Sequence, residues 1–182
     1  MSVDGPKGGR GKWSQAGVPH KGWTCINVED LGEPSMRCQM CEAAEIRYVH
    51  YMTHPQYPDA LSCGAVCAGH LEEDLLRAEE RDKSMRSTAG KRKRFPLRSG
   101  WALNRSSNPQ ITVEGFRVTM FSKGGFWKGV IHDKVTNQTY FTRDRFHDLH
   151  AAKMAAFDTL SLAKSRRPLG QRPHFPSFDD LK

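Results

Sequence analysis

Four of the five cysteines fall into two pairs: Cys38-Gln-Met-Cys41 and, after 21 intervening residues, Cys63-Gly-Ala-Val-Cys67, with His70 shortly after. Thiolates at such a spacing can close around a tetrahedral zinc ion, which takes four sulfur or nitrogen donors at about 2.0–2.3 Å. The expected ligands are Cys38, Cys41, Cys63 and Cys67. The second pair holds three intervening residues rather than two, so the fourth ligand stays open. His70, one helical turn beyond Cys67, is the alternate, with Cys63 turned away. Four protein ligands leave no coordination position for water, so the ion is expected to be structural Zn2+. Cys25 stands outside the cluster and reads as a core thiol.

A knuckle, a hairpin and a helix must position these thiols. Ile46-Arg-Tyr-Val-His-Tyr-Met52 alternates and is rich in β-formers, so it predicts a strand. His54-Pro-Gln-Tyr-Pro58 predicts the turn, because proline cannot donate to a central ladder. From Ala68 a helix is expected, with Leu71, Leu75, Leu76 and Met85 on its apolar side and Glu72, Glu73 and Asp74 in its first turns. Knuckle, hairpin and helix in this order describe a treble clef.

The rest of the chain divides by composition. Residues 1–22 combine glycine and proline with Lys7, Arg10, Lys12 and Lys21, and read as a disordered basic arm. Residues 23–88 form the zinc-binding domain. Residues 89–108 read as a basic linker around Lys91, Arg92, Lys93 and Arg94, since Gly90, Pro96 and Gly100 interrupt a helix. Residues 109–164 open on a short strand at Ile111–Val113, alternate over Phe116–Phe121, turn at Lys123-Gly-Gly125, and continue as strands at 127–132 and 139–142. Leu149, Ala152, Ala156, Phe157 and Leu160 then recur at helical spacing. That predicts a three-stranded sheet with one helix. Residues 165–182 read as a disordered tail. The fold class is α+β, two small domains with disordered basic tails.

The formal net charge of +8 over 182 residues makes a polyanion, nucleic acid above all, the leading partner. No apolar run approaches the roughly 18 residues that span a bilayer, so no membrane association is expected. Clustered cysteines, odd in number and without a signal-peptide pattern, fit a reducing, cytoplasmic setting. Gly5-Pro-Lys-Gly-Gly-Arg-Gly-Lys12 lacks the spacing of a phosphate-binding loop, and no small-molecule cofactor is expected.

Two resemblances add to this reading. The run from Cys38 to Asp74 resembles the finger of HNH-type nucleases. That resemblance implies His50 as a candidate general base, with His54 nearby, His70 as a partner, and a hard divalent ion separate from the zinc. Gly115-Phe-Arg-Val118, Phe126-Trp-Lys-Gly-Val-Ile131 and Ala151-Ala-Lys-Met-Ala-Ala-Phe-Asp158 are similar to the ethylene-response-factor and integrase-type DNA-binding domain. This implies a sheet face in the major groove, with Arg117, Trp127 and Lys128 toward the duplex and Lys123, Arg143 and Arg145 near phosphates. The wording around Gly22–Pro34 and Arg47–Pro55 resembles bacterial proteins. The expected function is a zinc-stabilised nucleic-acid-binding protein, DNA favoured over RNA. The alternatives are an HNH-like nuclease and a protein-interaction adaptor docking through the helix after Leu71.

Overall fold

The computed structural model describes residues 10–168, a mixed α+β chain of two compact units divided between Ala89 and Gly90. In the N-terminal unit, β1 (Thr24–Asp30), β4 (Tyr48–His54) and β5 (Tyr57–Cys63) form an antiparallel sheet in the order β1-β4-β5. A separate small hairpin, β2 (Met36–Arg37) with β3 (Glu45–Ile46), carries Cys38 and Cys41 in its connection. Helix α1 (Ala65–Leu71) follows β5 directly.

Two features of this unit differ from the sequence reading. Residues 10–22 are not an arm: Gly11–Ser14 form a 3-10 turn, and Trp13, Val18 and Trp23 are buried in the core with Met40, Val49 and Met52. Aromatic burial outweighs the glycine-rich composition that signalled disorder. Residues 1–9 of the predicted arm lie outside the described residues. The expected single helix begins earlier, at Ala65, and is broken at Glu72–Asp74, where Glu73 takes a φ of 58°. It restarts as α2 (Leu75–Arg94), on which Leu75 and Leu76 are exposed and Ala78 is buried instead. Gly69 permits the close approach there, since a β-carbon would lie 2.8 Å from Leu75 Cα.

The C-terminal unit is built on a five-stranded antiparallel meander: β6 (Ala102–Leu103), β7 (Pro109–Val113), β8 (Phe116–Lys123), β9 (Phe126–Asp133) and β10 (Thr139–Phe141). The short strand expected at Ile111–Val113 pairs into the sheet as part of β7, and β6, only two residues long, is the strand that carries too little alternation to be predicted. Both central hairpins turn on two residues with positive φ, Glu114-Gly115 (49° and 79°) and Gly124-Gly125 (61° and 78°). That geometry matches the right-handed twist of the strands. Helix α3 (Leu149–Arg166) is capped by Asp148, whose carboxylate accepts from Ala151 N–H at 2.7 Å.

The predicted linker, 89–108, is structured. It contains the end of α2, a 3-10 turn at Phe95–Leu97 with Phe95 buried, and β6. Gly90 costs a helix interior about 1 kcal/mol, which α2 absorbs, and four cations in its last turn suit the helix C-terminus. The predicted tail likewise starts later than expected. Ser165 and Arg166 end α3, and Arg167 is buried in a fork on Asp133, donating at 2.6 and 2.9 Å; residues 169–182 lie outside the described residues.

Burial raises the Asp133 carboxyl, but Arg167 and the N–H of Val135 and Thr136 outweigh it and hold the group down at about 2. A depressed carboxyl stabilises the fold above its ordinary value of 3.8, and that contribution is lost as pH falls from 3.8 through about 2. Arg167→Ala leaves a buried carboxylate unpaired and is expected to cost this unit about 3–5 kcal/mol. Urea titration at neutral pH checks it; a change under about 1 kcal/mol contradicts the assignment.

Candidate functional sites

The knuckle is fixed by backbone bonds before any side chain acts. Cys38 N–H donates to Ala44 C=O at 2.8 Å, and Glu42 N–H donates to Cys38 C=O at 2.8 Å. Gln39 ties it to the hairpin: its N–H donates to Ser62 C=O at 2.9 Å, and its side-chain oxygen accepts from Ser62 N–H at 2.7 Å. The N-terminal segment closes over the other side. Lys12 N–H donates to Met40 C=O at 2.9 Å, and Gly11 (φ 65°) lies so close that a β-carbon would stand 2.8 Å from the same oxygen. Cys63 ends β5 and Cys67 stands in the first turn of α1, so the β5–α1 junction faces its sulfurs to the knuckle.

The sulfurs of Cys38, Cys41 and Cys67 all lie within 4.8 Å of one another. Metal–sulfur bonds of about 2.3 Å place tetrahedral ligand atoms about 3.8 Å apart, so this group can hold a metal ion after small side-chain adjustments. Cys63 is fully buried beside Cys38 but does not belong to that three-way group. His70 does not join it either; its ring meets Trp13 edge-on at 6.3 Å. Cys25 lies apart, its thiol facing Asn27 C=O at 3.4 Å. A cavity of about 570 Å³, lined by Cys38, Cys41, Ile46, Tyr48, Val66 and Arg86 among others, borders the sulfurs.

The electrostatics fit a cation. Hydrogen bonds from Cys63 and then Cys67 push the Cys38 thiol far below its ordinary range. The same contacts with Cys38, followed by burial, push Cys63 and Cys67 up. Packed thiols without a cation can carry little shared negative charge, whereas a soft divalent ion stabilises several thiolates together. A second observation points the same way. The Trp13 indole N–H is buried without a conventional hydrogen-bond partner among the described residues, and its influence on the Cys67 sulfur favours the thiolate. Metal-bound thiolates commonly accept such outer-shell N–H donors. Sequence reading missed Trp13; an isolated tryptophan in a glycine-rich stretch was the available signal.

His50, the candidate base, is fully buried on β4, and neither ring nitrogen makes a conventional hydrogen bond among the described residues. Burial, then the charge of Arg81, lowers its pKa. A general base must reach the water it activates, and this ring has no exposed surface. His54 is partly exposed, its Nδ1 accepting from Gln56 N–H at 3.0 Å, which makes it a turn residue.

The candidate nucleic-acid residues separate. Strand pairing sets Phe121 opposite Lys128, Thr119 opposite Val130 and Arg117 opposite His132 on one face of the C-terminal sheet. Lys123 pairs with Phe126, and Phe141 with Val130, on that same face. Phe116, Val118, Met120 and Ile131 point the other way, into the α3-side core. Trp127 alternates with Lys128 and belongs to this inner side, packed on the core, with its backbone bridged to Phe146. Its expected place beside Lys128 is therefore corrected by the pleat itself. Lys91–Arg94 stand at the end of α2, and Arg92 forks Asp158 on α3 at 2.7–3.0 Å, on the helix-covered side. Arg143 and Arg145 follow β10 and are exposed; Arg145 lines a shallow concavity of about 620 Å³ with Phe121, Lys123, Phe126, Lys128 and Phe141.

Serine at Cys38, Cys41 or Cys67 is expected to reduce bound metal in native mass spectrometry, while Cys25→Ser leaves it unchanged. Trp13→Phe, which keeps a ring but removes the N–H, is expected to weaken retention against chelator about 10- to 100-fold. Comparisons of the chain with protein-family models, with curated proteins and with solved structures find no match.

Proposed function

We propose that this is a nucleic-acid-binding protein whose N-terminal unit is held by a structural Zn2+. The order of knuckle hairpin, β4–β5 hairpin and α1 supports a treble-clef arrangement for that ion, with Cys38, Cys41 and Cys67 as ligands and Cys63 turning in as the fourth. The observation that carries the binding role is the face of the C-terminal sheet that the described residues leave uncovered. Arg117, Lys123 and Lys128 stand there among exposed Phe121 and Phe141, with Arg145 at the margin. No Asp or Glu occupies an outward strand position on β7–β10. Cations held on a rigid sheet match a phosphate backbone, and aromatic rings beside them match bases.

Leu75 and Leu76, 43% and 74% exposed on α2, support a second reading as a protein-docking surface. Binding to a protein partner that survives nuclease treatment and is lost in Leu76→Glu is its test.

Binding by phosphate contact falls steeply with salt. Arg117→Glu with Lys128→Glu is expected to weaken binding at least tenfold at 50 mM salt and to flatten the salt slope by about two. Elemental analysis is expected to find one zinc per chain. Salt-independent retention, or none at low salt, contradicts the reading.

A further inference from the structure

We infer that the sheet face left uncovered by the described residues takes single-stranded nucleic acid, with unstacked bases lying on Phe121 and Phe141. The inference rests on the binding role proposed above and gives it a substrate class. Phe121 is 42% exposed and Phe141 60% exposed, both in ordered strands of a packed unit. A phenyl ring offers no hydrogen bond and no charge, so its contribution to binding a nucleic acid is the burial of its face. In a duplex the base faces are already covered by their neighbours. Unpaired bases have free faces, and stacking them on aromatic side chains is worth about 1–3 kcal/mol each.

The register supplies the spacing. Phe121 on β8 lies opposite Lys128 on β9, and Phe141 on β10 lies opposite Val130, two residues further along β9. Two strand widths and a two-residue offset separate the phenylalanines by about 12 Å. That is more than three times the roughly 3.4 Å between successive bases on one strand of a duplex, so the rings cannot read neighbouring stacked bases. A splayed strand crossing β8, β9 and β10 can set one base on each ring. Lys128, between them, then meets an intervening phosphate, while Lys123 and Arg145 border the same concavity. Phenylalanine in a major groove would find little beyond thymine methyl groups.

The test is fluorescence anisotropy of the full, metal-retaining chain with a labelled mixed-sequence 20-mer, as single-stranded DNA, single-stranded RNA, and each duplex, at 50 mM salt. Tenfold or tighter preference for either single strand over its duplex is expected. Phe121→Ala and Phe141→Ala are each expected to weaken single-strand binding about 5- to 150-fold. Both should leave duplex binding within twofold and the salt slope unaltered. A melting curve checks that each variant keeps the fold. Duplex binding as tight as single-strand binding, or alanine variants that alter both equally or neither, overturns this inference while leaving the broader one standing. If no probe binds, both fall.

Discussion

The C-terminal unit depends on how closely α3 can settle on the sheet. Gly129 is the contact point: a β-carbon there would lie 2.9 Å from Thr142 Cγ2 and 3.1 Å from Ala156 Cβ. With hydrogen in that place and alanines at 152, 156 and 163 on the helix, one face of the meander is sealed against Phe116, Val118, Met120 and Ile131. Because side chains alternate, sealing one face fixes the population of the other. Arg117, Phe121, Lys123 and Lys128 are left outward by the same registration that buries their neighbours. The proposed binding surface is thus the complement of the core, with its spacing set by backbone hydrogen bonds instead of by loop conformation.

The N-terminal unit is organised differently. Its cysteine group draws on a knuckle, a strand end and a first helical turn, each held by its own backbone bonds. Crowding buried sulfurs is unfavourable for bare thiolates and favourable once a cation sits among them. Small domains of this kind commonly depend on such an ion, because a core of this size supplies limited stability by itself. Trp13 packs its ring in the core that also holds Cys38, Cys63 and Cys67, so aromatic burial and the cysteine group share one interior.

Much of this was legible in the residues. The cysteine spacing pointed to a group of which Cys38, Cys41 and Cys67 gather while Cys63 stands outside, and alternation over Phe116–Phe121 divided buried Val118 and Met120 from exposed Arg117 and Phe121, although Thr119 on the outer face is buried too. The Lys123-Gly-Gly125 turn and the helix after Asp148 were equally plain, since each rests on local chemistry. What composition obscured was tertiary. Trp13 and Arg167 look like parts of polar tails until their distant partners, Cys67 and Asp133, are in place. Gly90 and Pro96 look like breakers, yet a helix runs through one and a 3-10 turn begins beside the other. The resemblance to another domain implies Trp127 on one face with Lys128, and the two-residue period of a strand separates them.

The clasp of Gly11 and Lys12 over the Met40–Cys41 backbone has a consequence for how the chain would age in a cell. Lys12 is tied to the knuckle by its N–H bond to Met40 C=O while Trp13 is held by the core, so loosening of the knuckle would free the first residues of the strap. Lys12, half-buried in the intact unit, would then join the already exposed Arg10 as a site for trypsin-like proteases, so that cleavage after Lys12 would record the state of the knuckle.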